Sequence, residues 1–223
     1  MVIVVNRQTS DSFYLALLLT VSGGFLESYT YISRDGVFAN AQTGNLIKLA
    51  MGISDFNYIE IIRYSLPIIA FVVGIIISCY LRSKYKETTR VHWRQIVLAV
   101  EVIILLFVCL IPIGNLNAIA NILVSFTCAM QYEAFKKFEG NPFSSLFCTG
   151  NLRSFSEQLF FAITKKDANY LKKCQKYLSI IMIFMMGVII GDIATVRLWQ
   201  YACIIPSVIL VIVIILMNKE NIA

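Results

Sequence analysis

Charge is scarce in this chain: Asp, Glu, Lys and Arg make up 14% of 223 residues, against roughly a quarter in a soluble domain. Histidine occurs once, as His92 in a basic stretch, which leaves no histidine set for zinc or haem. None of the six cysteines forms a C-x-x-C pair, and most lie inside apolar runs. They read as small embedded side chains, neither a disulfide framework nor metal ligands. The chain lacks a P-loop, a dinucleotide fingerprint, HExxH, Gly-x-Ser-x-Gly and any visible nucleophile–base pair. No enzymatic activity, metal or cofactor is therefore expected. No amino-terminal h-region precedes a small-residue cleavage site, so the first apolar segment is expected to be retained.

Apolar runs are abundant, since 58% of the residues are hydrophobic. Crossing a hydrocarbon core takes roughly 20 apolar residues. Spanning helices are expected near Phe13–Ile32, Tyr58–Leu81, Ile96–Ile113, Ile119–Phe138, Tyr177–Thr195 and Trp199–Met217. One polytopic membrane domain, 1–223, leaves no room for a soluble catalytic module. The net charge of +6 does not indicate nucleic acid. Its cations gather in two short loops: Arg82, Lys84, Lys86, Arg90 and Arg94 in one, Lys165, Lys166, Lys172, Lys173 and Lys176 in the other. Short basic loops stay on the cytoplasmic side, with anionic-lipid contact as a secondary use.

The chain also repeats itself. Thr43-Gly44-Asn45-Leu46 returns as Thr149-Gly150-Asn151-Leu152, and at the same offset Glu27 falls on Glu133. Phe71-x-x-Gly74-Ile75-Ile76-Ile77 reads like Phe184-x-x-Gly187-Val188-Ile189-Ile190. Two units result, about 11–113 and 117–217. If both basic loops are cytoplasmic, the chain crosses an even number of times between them, so one of the three segments there does not span. The Thr-Gly-Asn segment Pro142–Ile163 is the candidate, because Asn151, Arg153, Glu157 and Gln158 are costly against lipid. By the repeat, Gly36–Gly52 behaves likewise. The expected fold is all-α: six transmembrane helices plus two re-entrant segments in an inverted-topology repeat, with both termini cytoplasmic. An eight-span alternative would put Lys165–Lys176 outside, against the positive-inside rule. In inverted repeats, interrupted segments meet near the midplane, where the solute or ion site lies.

Gly44 and Gly150 permit close approach. Thr43, Asn45, Thr149 and Asn151 offer hydroxyls and amides that can replace part of a solute's hydration shell, or can simply cap and join helices. Asn40 and Gln42 suggest a polar wall. In the second unit, Asn141 reads as an N-cap and Pro142 as a first-turn residue. Arg153 reads equally as an interfacial or gating cation or as an anion contact. Glu27, inside an apolar span, is a functional candidate by default; its alternative is an ion pair with Arg34. Glu133 is better explained by Lys136 and Lys137 at helical spacing. Gly187-x-x-x-Gly191, and Gly74 with Ser78, are small-residue faces for helix packing. Trp93 and Trp199 sit at segment ends as interfacial aromatics do.

The stretches Gly23-Gly24-Phe25-Leu26-Glu27-Ser28-Tyr29-Thr30 and Gly36-Val37-Phe38-Ala39-Asn40-Ala41-Gln42-Thr43-Gly44-Asn45 resemble the signature of the YoaK family of bacterial membrane proteins. Ala129-Met130-Gln131, Ala134-Phe135 and Thr149-Gly150-Asn151-Leu152-Arg153 resemble its second-half signature. The resemblance implies a six-span protein of the bacterial cytoplasmic (inner) membrane and adds Gln131 to the candidate site; it implies no substrate. The family usually has Asp where Glu27 stands and Asn where Tyr132 stands. A transporter or permease for a small solute is the leading expectation, with a passive channel and a non-transporting scaffold as alternatives. Expected partners are membrane lipid, a small-molecule solute and a second copy of the chain in a homodimer, with no nucleic acid.

Overall fold

A computed structural model describes residues 11–86 and 92–219. In chain order they form α1 (Phe13–Ser33), α2 (Gln42–Ser54), α3 (Tyr58–Tyr85), α4 (Trp93–Val108), α5 (Asn117–Ala134), α6 (Cys148–Lys165), α7 (Ala168–Leu198) and α8 (Ile204–Lys219). A two-residue antiparallel pair, β1 (Lys137–Phe138) and β2 (Asn141–Pro142), lies between α5 and α6. The fold is all-α apart from this pair, and three helical stretches are long and apolar enough to cross a membrane: Phe13–Ser33, Tyr58–Tyr85 and Ala168–Asn218. The last runs through α7 and α8 and covers two expected spans. α4 and α5 fall on the remaining two but are only 16 and 18 residues long.

Local chemistry sets several ends. The Asn57 side chain accepts from Glu60 N at the start of α3, and Arg82 and Lys84 lie in its last turn, where cations offset the helix dipole. His92 caps α4 in a box with Gln95, and Asp167 caps α7. Asn141 and Pro142 do not open a helix as expected; they pair with Lys137 and Phe138, and α6 begins at Cys148 after Phe147. Gly140, at φ 76°, makes the intervening reversal. Trp93 is buried at the start of α4, whereas Trp199 is exposed at the end of α7.

Packing crosses between the two halves of the chain. α1 lies against α7 and α3 against α5, while α2 rests on α3 and α6 on α7. Glycines allow both crossings. A Cβ on Gly187 would come 2.5 Å from Val21 O, and one on Gly74 would collide with Phe126 O. Ser78 Oγ adds a bond to Met130 O at 3.2 Å. The expected small-residue faces are these contacts. Buried side chains of α1, α4, α5 and α8 form the core, while α3 and α7 expose Ile69, Val72, Ile76, Met182, Met186 and Ile189 outward.

The bundle has two distinct ends. At one, Glu139 N donates to Asp11 O (2.7 Å), Glu139 binds Lys176, Arg94 Nε donates to Ala134 O (2.8 Å) and Gln95 bonds Asn218 (2.6 Å). At the other, the fully buried Arg34 donates to Ile111 O (2.9 Å), Pro112 O (3.0 Å) and Asn117 Oδ1 (3.0 Å). Tyr29 OH accepts from Arg34 and reaches Gln200 O at 3.5 Å. Arg34 therefore does not pair with Glu27: backbone carbonyls of the α4–α5 turn satisfy it.

Candidate functional site

The two Thr-Gly-Asn segments share one local structure. Asn45 Oδ1 accepts from Phe38 N (3.1 Å), and its Nδ2 donates to Phe38 O (2.8 Å). Asn151 does the same to Ser144, accepting from N at 3.4 Å and donating to O at 2.7 Å. In each half the buried amide thus ties the helix to the extended residue seven positions back. Satisfying a peptide unit away from water is worth more than a surface bond, which accounts for asparagine in this motif. Thr43, Thr149 and Gly150 are exposed, and Gly44 packs on the Phe38 ring. Gln42 bonds only locally, to Ala39 O and Asn45. Arg153 is exposed and pairs with Glu157 at 3.0 Å. Of the expected site residues, Thr43, Thr149, Gly150 and Arg153 thus lie exposed, apart from the buried contacts made by Asn45 and Asn151. α2 packs mainly on α3 and α6 mainly on α7, so the two motifs rest on different helices.

What meets is the pair of extended tips before these helices. Asn40 Nδ2 donates to Gly23 O (3.0 Å). From the other half, Ser145 O and Leu146 Cδ2 would lie 2.5 and 2.7 Å from a Cβ on Gly23. Both tips therefore press on one glycine of α1, where only a bare Cα fits.

Glu27 reaches the first tip, its carboxylate accepting from Asn40 N (2.7 Å) and Ala41 N (3.2 Å). In the second half the corresponding amides, Leu146 N and Phe147 N, are served at 3.2 and 2.9 Å by Ser144 Oγ. An anion at a helix start is favoured by the dipole and by free N–H groups. Glu133 has a different fate: it pairs with Lys136 and, at 3.9 Å, with Arg82.

A second acid, which the sequence reading did not single out, completes the arrangement. Glu101 of α4 is fully buried. In the amide orientation that satisfies both neighbours, Gln131 donates to both Glu101 oxygens at 3.2 Å and accepts from Ser145 Oγ at 2.9 Å. Two hydrogen-bonded groups thus touch at Gly23 and bring the halves together: the half-buried Glu27 with Asn40 on one side, and buried Ser145, Gln131 and Glu101 on the other, where Ser145 O packs on the Gly23 backbone. Asn40 Oδ1 and Ser22 Oγ, the latter on the residue before Gly23, are buried without a hydrogen-bond partner among the described residues, so acceptor capacity is left over beside this contact. The signal for Glu101 was an acid inside the apolar run 96–113. Among the described residues, no group of three or more His, Cys, Asp or Glu is arranged to hold a metal ion.

The DUF1275 family, described as a protein of unknown function, matches residues 15–216. The chain belongs to that family. No curated protein and no solved structure matches it. The matched region holds all eight helices except two residues at the start of α1 and three at the end of α8, so the seam between the halves lies wholly within it.

Proposed function

We propose that this chain is a transporter or permease for a small solute, working at the seam where the two tips meet. The observation that carries this reading is the pair of acids, Glu27 and the fully buried Glu101, whose hydrogen-bonded groups touch at Gly23, because ionisable groups inside a membrane protein mark solute or ion pathways. We read the chain as a YoaK-type protein of the bacterial inner membrane, with six crossings and both termini cytoplasmic.

The contacts at the two ends support this topology. The starts of α1, α4 and α7 and the ends of α3, α5 and α8 lie at the basic end. The end of α1, the α4–α5 turn and the α7–α8 turn lie at the Arg34 end. The tips then turn back to Gly23 from opposite ends, and α2, about 20 Å long at 1.5 Å per residue, is too short to span. We read this as an inverted-topology repeat with two re-entrant segments, α2 by its length and α6 by its repeat of the α2 motif.

The test is uptake by proteoliposomes across a panel of small cations, anions and neutral solutes. Wild-type protein is expected to move at least one class, and Glu101→Gln to lose that flux while keeping its unfolding midpoint. Unchanged flux in Glu101→Gln and Glu27→Gln together would remove the seam from the mechanism. A second reading, a non-transporting scaffold, is favoured by the tight backbone contacts at Gly23. It predicts no flux for any solute, and loss of a co-purifying protein when the basic loops are altered.

A further inference from the structure

We propose that the basic end of the bundle holds a binding site for a phosphate-bearing anion, independent of the seam. A cavity of about 340 Å³ opens there between the end of α3, the start of α4 and the end of α5. Arg82, Lys86, Arg94, Lys136 and Lys137 line it around Glu133, the one carboxylate among its described lining residues, with buried Trp93 in its wall and His92 beside it. Scattered loop lysines would be enough to orient a membrane protein. Here cations from three separate stretches of chain converge on one concavity, which like-charge repulsion opposes unless an anion compensates.

Part of the site is organised in advance. Glu133 holds Lys136 and Arg82, and Ala134 O fixes the Arg94 guanidinium. Lys86 and Lys137 stand exposed at the rim. Fixed guanidinium and mobile ammonium groups together suit phosphate oxygens. The volume is about ten times that of a water molecule in the liquid, which admits a phosphate diester headgroup as well as free phosphate. At the end of a membrane bundle, anionic headgroups are the abundant source.

The experiment compares wild type with Lys86→Gln/Lys137→Gln and with the charge-matched control Lys172→Gln/Lys173→Gln, whose exposed lysines on α7 lie outside the cavity. Retention of phosphatidylglycerol over phosphatidylcholine is counted by native mass spectrometry, and inorganic phosphate is titrated against Trp fluorescence in detergent. The site predicts that the cavity variant loses roughly thirtyfold in anion affinity while the control does not, since each of the two basic residues contributes on the order of 1 kcal/mol near an anionic surface. If only phosphatidylglycerol shows this dependence, the ligand is a lipid headgroup; if inorganic phosphate shows it too, the site takes soluble phosphate. Equal losses in the two variants, or no preference for either anion, would overturn the proposal. Should the double variant not fold, Lys137→Gln alone serves, with a smaller loss expected.

Discussion

At the scale of single residues, burial separates side chains that the repeat makes look alike. Asn45 and Asn151 each hold a peptide unit with two hydrogen bonds, whereas Thr43 and Thr149 face outward. Asn45→Ala or Asn151→Ala is expected to cost about 1–3 kcal/mol by leaving the half-buried backbone groups of Phe38 or Ser144 without these partners. Thr43→Val and Thr149→Val should change stability by less than about 0.5 kcal/mol. Denaturant titration of all four variants checks this, and equal costs for the threonines would place them in an interior they do not occupy here. His92 gives a pH test. Its imidazole accepts from Arg94 N as the cap of α4, and burial first, then the Arg94 charge, holds it below its ordinary value. The unfolded chain takes up that proton near pH 6.5, while the folded cap resists it. This contribution to stability is therefore complete above about pH 6.5 and is lost as the pH falls below it. His92→Asn keeps a cap acceptor without a titrating group. Its stability should fall less than wild type between about pH 7.5 and 5.5, and parallel curves would contradict the assignment.

At the scale of elements, the contacts that matter are between helices of different halves. Gly74 brings α3 onto the backbone of α5, and Gly187 brings α7 onto α1. Because the opposing atoms are carbonyl oxygens, no side-chain rotation relieves a larger residue. Gly74→Leu or Gly187→Leu should each destabilise by about 1–3 kcal/mol or more, as overpacked contacts do. Gly150, with no atom within 4 Å of an added Cβ, should accept alanine at little cost. Thermal unfolding in detergent reads all three; a stable Gly187→Leu protein would mean that α1 and α7 are not clamped at this point. The β1–β2 pair shows a different constraint: with α5 ended at Ala134, Lys137, Phe138, Asn141 and Pro142 form a reversal that sends the second tip back toward Gly23.

At the scale of the molecule, the reading turns on sidedness. In a variant lacking native cysteines, single cysteines at the exposed positions Asn57 and Asn169 would be labelled with a membrane-impermeant thiol reagent. Labelling of Asn57 from outside and of Asn169 only from inside is the expected result for opposed units; labelling of both from one side would make the repeat parallel. Much of this molecule is legible in its sequence. Membrane class, the approximate place of each helix and the pairing of Glu133 with Lys136 follow from hydropathy, charge and helical spacing, which are properties of neighbouring residues. The roles of Glu27, Arg34 and Glu101 are not. Arg34 stands seven residues from Glu27, yet it bonds carbonyls of Ile111 and Pro112. Glu101 looks like any acid in an apolar run until α5 brings Gln131 against it. Local pattern determines which segments leave water, because that depends on composition over about twenty residues. Which polar groups meet inside depended on how two halves far apart in the chain pack through Gly23, Gly74 and Gly187, because a buried hydrogen bond is specified by both partners and only the tertiary structure supplies the second.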